Sequence, residues 1–212
     1  MAKARKLDPA SDFTPDEAYR ALRRIVGVVA LLNLAWFGIE LVVAQAIGSV
    51  SLFADSADFF EDAALNLLIF TSLAWSATRR ARVGMVLSGI LLVPAVAMLW
   101  ALWSKLSTPV PPEPLLLGAT GFGALVVNVA CAFLLSRYRD HRGSLTKAAF
   151  LSARNDVLAN VAIIGAGIAS AIHPSVWPDI VVGIGIAYMN ADAARAVWTA
   201  AREEHRVSRA SR

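Results

Sequence analysis

The chain has 212 residues, of which 57% are hydrophobic and 17% are charged, and its formal net charge is +4. Soluble domains average about 45–50% apolar and about 25% charged residues, and a domain of 22.6 kDa has too little interior to bury so much apolar surface. The composition therefore excludes a disordered chain and a nucleic-acid-binding protein, and it argues against a soluble globular domain. The single cysteine, Cys131, excludes a disulfide scaffold and a cysteine-cage metal site. The class of protein that remains is an integral membrane protein.

Six apolar stretches follow one another along the chain, each close to the about 20 residues that cross a bilayer core. They predict an all-α membrane protein with six transmembrane helices, at about 25–46, 49–73, 83–104, 115–136, 146–171 and 176–198. A tail at 1–24 precedes this transmembrane domain of residues 25–198, and a short tail at 199–212 follows it. Prolines between Pro109 and Pro114 predict a loop, because consecutive prolines cannot sustain helical hydrogen bonds.

The basic residues predict the orientation, because Lys and Arg stay in the cytoplasm during membrane insertion. Seventeen of the 20 Lys and Arg residues fall in the two tails, in the loop after the second span and in the loop after the fourth span. The opposite side holds only Lys105. Both termini are therefore expected in the cytoplasm, and the basic loops need no nucleic-acid partner to explain them.

Four acids lie within eight residues of the second span, where an ionisable side chain costs at least about 2.5–3.5 kcal/mol to insert. They are Asp55, Asp58, Glu61 and Asp62. Asp58 and Asp62 share one helical face, and Asp55 lies one turn earlier on nearly the same stripe. Stacked carboxylates repel one another when ionised, so a cation must neutralise them or one must hold a proton.

The fifth span carries a matching stripe, in which Ser152, Asp156 and Asn160 recur every four residues beside Asn155. If the second and fifth spans pack together, Asp58, Asp62 and Asp156 converge, and Ser152 or Asn155 offers a fourth oxygen. Such an all-oxygen cluster suits a divalent cation. The alternative is a buried ion-pair network in which Arg154 or Arg195 neutralises the acids.

Several other polar residues in or near the spans have simpler interpretations. Glu40 and Asn128 are expected to form hydrogen bonds between helices rather than to bind a ligand. Asp55 and Asp179 are expected nearer the outer side, where they guide cations or cap helix ends.

The second-span run from Gly48 to Asp62 resembles the signature of the cation diffusion facilitators, the zinc-transporter family. The run reads Gly-Ser-Val-Ser-Leu-Phe-Ala-Asp-Ser-Ala-Asp and then reaches Asp62 four residues later, and the family has His or Asp where this chain has Asp58. The fifth-span run from Lys147 to Asp156 resembles the family's second ligand motif. The resemblance extends over about residues 20–200.

The resemblance implies an exporter that exchanges a cytoplasmic divalent metal for protons by alternating access, working as a homodimer in the cell inner membrane. It makes Asp58, Asp62 and Asp156 ligands of the transport site, with no prosthetic group and no enzymatic activity. Ser152 departs from the family, which has His, Asp or Asn there, so water, Asn155 or Asn128 is left to fill the fourth position. The about 14 residues after the sixth span predict a minimal member without the family's cytoplasmic metal-binding domain.

Zinc is the first expected substrate, with cadmium as its companion. Oxygen-only ligands also favour Mn²⁺ or Fe²⁺, so a manganese or iron exporter is the first alternative. A membrane-embedded metal-dependent hydrolase is the second, since carboxylate-held metals also activate water. The third is a non-transporting scaffold whose acids pair with arginines.

Overall fold

A computed structural model of the chain describes residues 15–72, 92–136 and 143–189. These residues are helical apart from short connections, and no strand occurs among them, which confirms the all-α prediction for this part of the chain. The helices are α1 (Pro15–Ile47), α2 (Val50–Ser72), α3 (Leu92–Ser107), α4 (Pro114–Ser136), α5 (Gly143–Ile172) and α6 (Trp177–Met189).

The helix bounds agree with the predicted spans except at the start of α1, which begins ten residues before the predicted span. Pro15 occupies the first helical position, where its missing N–H leaves no hydrogen bond unmade. The start of the third predicted span and the end of the sixth lie outside the described residues.

Two described helical segments are long and apolar enough to cross a membrane, Arg20–Ile47 of α1 and Pro114–Ser136 of α4. Shorter apolar helices cover Asp156–Ile172 and Trp177–Met189. α2 is a continuous helix of 23 residues, but its four acids interrupt the apolar sequence. The count of six spans and the side on which each terminus lies remain predictions.

α2 is the central helix of the described structure, since it packs against α1, α3 and α5. A tight turn at Gly48 joins α1 to α2, and Gly48 has a φ of 61°, a left-handed conformation that glycine adopts without strain. Ser49 then caps α2, because its hydroxyl accepts a hydrogen bond from the Leu52 amide at 3.2 Å. The two helices therefore form an antiparallel hairpin.

The N-terminus of α2 is also held by Asp179 of α6. The Asp179 carboxylate accepts hydrogen bonds from the amides of Val50 (2.8 Å) and Ser51 (3.1 Å) and from the hydroxyls of Ser49 (2.6 Å) and Ser51 (2.7 Å). Lys105 of α3 lies 4.0 Å from the same carboxylate and donates to the Gly48 carbonyl at 2.6 Å. The expected helix-capping role of Asp179 is confirmed, and the cap joins three helices around one buried carboxylate.

α4 and α5 form a second closely packed pair. At their crossing a Cβ added to Gly167 would lie 3.0 Å from the backbone of Gly118, so the two helices approach to a distance that only small residues permit. Buried Leu117, Ile163 and Ala166 fill the adjoining core. This pair brings the polar stripe of α5 against α2.

Candidate metal centre

The acid stripe of α2 points into the protein. Asp58 and Asp62 are 9% and 5% exposed, whereas neighbouring Glu61 is exposed. Helical periodicity explains this division, since Asp58 and Asp62 are four residues apart and Glu61 lies to one side of their stripe. The structure therefore confirms that the pair shares a buried face.

Asp156 of α5 faces the same two carboxylates. It lies within electrostatic range of Asp58 and Asp62, and the carboxyl groups of Asp62 and Asp156 are close enough to share a hydrogen bond. The proximity of these three acids across α2 and α5 is the arrangement that the sequence predicts. Three neighbouring carboxyl groups in an apolar setting can all be ionised only when a cation lies beside them.

The three acids do not form a finished metal cage. Among the described residues, no group of three or more Asp, Glu, His or Cys side chains is arranged so that it could hold a metal ion by itself. Ser152 and Asn155, which are predicted to add oxygen ligands, lie on α5, but their side chains are outside the described residues. Their part in the site stays a prediction.

A second polar group lies one helical turn nearer the Gly48 turn. Asp55 of α2 accepts a hydrogen bond on Oδ2 from the Asn160 amide of α5 at 2.7 Å, and the Asn128 amide of α4 donates to Asn160 Oδ1 at 3.1 Å. Glu40 of α1 places its carboxyl group within hydrogen-bonding reach of Asp55. All four side chains are at most 2% exposed.

This second group corrects one expectation and confirms another. Asp55 does not cap a helix end, because it is fully buried within α2 and takes part in a chain of hydrogen bonds across α2, α5 and α4. The expectation that Asp55 guides cations stays a prediction. Asn128 forms the expected hydrogen bond between helices. Helical periodicity alone does not reveal the pairing of Glu40 with Asp55, because it depends on how α1 and α2 face each other.

The connectivity of the hairpin contains a signal for that pairing. Glu40 lies eight residues before Gly48, and Asp55 lies seven residues after it. With a rise of 1.5 Å per residue, both are about 11 Å from the turn, so antiparallel packing of α1 and α2 brings them to the same depth.

A cavity of about 700 Å³ lies away from both groups of acids, between the end of α1 and α3. Its lining includes Gln45, Phe53, Trp100 and Lys105, and none of the three clustered acids contributes to it. The chemistry of the site therefore comes from the buried interface of α2 and α5.

Comparison with protein families gives one match that covers most of the chain. The model of the cation efflux transmembrane domain matches residues 26–202, which include Glu40, Asp55, Asp58, Asp62 and Asp156. No curated protein matches the chain.

Proposed function

The chain belongs to the cation diffusion facilitator family of membrane cation transporters, and from this premise we propose that it exports a divalent metal ion, zinc first, in exchange for protons. The observation that carries the proposal is the proximity of Asp58 and Asp62 of α2 to Asp156 of α5. In an apolar bundle, such a set of acids requires either a cation or protons to neutralise it.

The same carboxylates account for the exchange. A carboxylate oxygen that holds a proton cannot donate the same electron pair to a metal, so metal affinity falls as protons bind. Facing the cytoplasm, the site loses protons and takes the metal. Facing the other side, the site takes protons and releases the metal, and a proton gradient then drives export by alternating access.

Completion of the coordination shell accompanies metal binding in this proposal. Because the described acids do not form a metal cage unaided, the metal takes a further oxygen from Ser152, Asn155 or water to complete its coordination. Zinc accepts four such ligands, and cadmium is the expected second substrate.

The donor set also supports a second candidate within transport. The proposed ligands are all oxygen atoms, and oxygen ligands suit Mn²⁺ and, with less selectivity, Fe²⁺. Metal-by-metal uptake decides between these substrates. The hydrolase alternative gains no comparable support, because the family is one of transporters.

We further propose that the protein acts as a homodimer in the inner membrane, with six spans and both termini in the cytoplasm. The orientation is supported by the distribution of Lys and Arg residues. The dimer is supported by the family alone.

The test is metal uptake by the purified protein in liposomes, with a metal-sensitive dye and a pH-sensitive dye inside. Wild type is expected to take up zinc with a matching flow of protons. Asp62→Ala and Asp156→Ala are expected to remain folded and inserted but to lose at least nine-tenths of the uptake. The matched control is Glu61→Ala, which removes the neighbouring exposed acid and should retain most of the uptake. Full metal uptake by Asp62→Ala or Asp156→Ala would refute the assignment of the site.

A further inference from the structure

Glu40 and Asp55 form a carboxyl pair that the proposed metal cluster does not use. Both are fully buried, and both Glu40 carboxyl oxygens and Asp55 Oδ1 lack a donor among the hydrogen bonds of the described residues. The two carboxyl groups nevertheless lie within hydrogen-bonding reach of each other. Two ionised carboxylates cannot bond to each other, whereas one proton between them satisfies both.

Neighbouring amide side chains determine which of the two carboxyl groups accepts the hydrogen bond between them. Asn128 donates to Asn160 Oδ1 and thereby fixes the orientation of the Asn160 side chain. The Nδ2 group of Asn160 is then directed at Asp55 Oδ2. Asp55 is therefore held as a hydrogen-bond acceptor, and the shared proton belongs on Glu40, which donates it to the free Asp55 Oδ1.

The described surroundings supply no cation to replace this proton. Among the described residues, the charged groups that interact electrostatically with the pair include Asp58 of α2 and Asp156 of α5. From α4 the facing group is the neutral amide of Asn128. The ion pair recorded in the described part of the chain joins Lys105 to Asp179 at the Gly48 turn, away from the pair.

We propose that Glu40 and Asp55 form a proton-binding site separate from the metal cluster, and that this site releases one proton when a divalent metal binds at Asp58, Asp62 and Asp156. The inference rests on the proposed function. A dication one turn away attracts the second negative charge of the pair, so the proton leaves Glu40 for water on the side open to solvent. By linkage, reprotonation of the pair weakens metal binding to the same extent.

The direct test counts protons released when zinc binds to the detergent-purified protein in weakly buffered solution. Glu40→Gln is expected to release one proton fewer per zinc than wild type and to bind zinc with a weaker dependence on pH. The matched control is Glu61→Gln, the same substitution on an exposed side chain, which should release as many protons as wild type. Equal release from Glu40→Gln and wild type would overturn the proposal and leave the pair a structural contact.

Transport separates this inference from the function on which it rests. In liposomes, Glu40→Gln should still carry zinc down a zinc gradient but move fewer protons per zinc. If wild type carries no metal, the proposed function fails. If wild type and Glu40→Gln move equal numbers of protons per zinc, only the proton site fails.

A second measurement needs no substitution at Glu40. The infrared spectrum of the wild-type protein should contain the carbonyl stretch of a protonated carboxyl group at neutral pH, and this band should disappear on zinc binding. Asp58→Asn should retain the contribution of the Glu40–Asp55 pair to this band without metal, while it changes the contribution of protons held in the metal cluster. Absence of the band from metal-free wild type would refute the shared proton. In the proton-release experiment, Asp55→Asn provides a second variant of the pair that is independent of Glu40→Gln.

Discussion

At the scale of single residues, the buried aspartates Asp179 and Asp55 have different roles because they have different hydrogen-bond partners. Asp179 is fully buried, yet its carboxylate receives four hydrogen bonds and faces Lys105. Asp55 is equally buried but receives one amide donor and a neighbouring acid. Hydrogen bonds to an ionised group contribute about 1.5–3 kcal/mol each, so Asp179 has the partners of a structural helix cap, whereas Asp55 has an oxygen left to accept a hydrogen bond from Glu40.

Removal of the Asp179 carboxylate is expected to destabilise the protein strongly. Asp179→Ala leaves the Val50 and Ser51 amides without their acceptor and the Lys105 ammonium without its counter-charge, and loss of one partner of a buried pair costs about 3–5 kcal/mol. Lys105→Met should cost less, about 1 kcal/mol, because the four hydrogen bonds to Asp179 remain. Thermal unfolding in detergent measures both variants. An Asp179→Ala protein as stable as Lys105→Met would contradict the assigned role of the cap.

At the scale of helices, the sequence predicts lengths and buried faces well, because both follow from local pattern. The predicted spans at 49–73 and 115–136 differ by at most one residue at each end from α2 and α4. The face shared by Asp58 and Asp62 follows from a spacing of four residues. The early start of α1 was missed because its first turns are polar, although their residues favour a helix.

Contacts between helices are harder to predict from the sequence. The polar stripes of α2 and α5 predict that Asp156 lies near Asp58 and Asp62, because a cation between the helices could neutralise both stripes. The pairing of Glu40 with Asp55 has no such pattern. The depth of Glu40 and Asp55 follows from the turn at Gly48, but the rotation of each helix about its axis is decided by packing of many side chains at once.

The α4–α5 crossing gives a prediction about helix packing with a control on the same helix. A Cβ at Gly167 would meet the Gly118 backbone at 3.0 Å, while a Cβ at Gly165 would meet nothing within 4 Å. Gly167→Ala should therefore destabilise the protein by about 1–3 kcal/mol, since backbone cannot move aside as a flexible side chain does. Gly165→Ala should be neutral or stabilising by up to about 1 kcal/mol, because alanine favours the helix. Equal unfolding temperatures in detergent would show that the helices do not meet at Gly167.

At the scale of the whole molecule, the buried polar residues form three groups in order along the hairpin of α1 and α2. The Asp179 cap closes the end at Gly48, the Glu40–Asp55 pair follows at about 11 Å, and the acids Asp58 and Asp62 lie deeper still. A cation that moves between the cluster and the Gly48 end therefore passes the level of the proton pair. This order couples the two sites by electrostatics without requiring a shared ligand.

The cap, the Glu40–Asp55 pair and the acid cluster also have a predicted orientation in the membrane. The positive-inside rule places Lys105 and the Gly48 end of α2 outside and the C-terminal tail in the cytoplasm. Thr108 is exposed at the end of α3, and Cys131 is fully buried, so the native thiol should remain unlabelled. A membrane-impermeant maleimide should therefore label Thr108→Cys in cells whose inner membrane is intact, and label Ser211→Cys only after that membrane is permeabilised. The reverse pattern would place the cap on the cytoplasmic side, and the metal would then leave the cluster away from the Glu40–Asp55 pair.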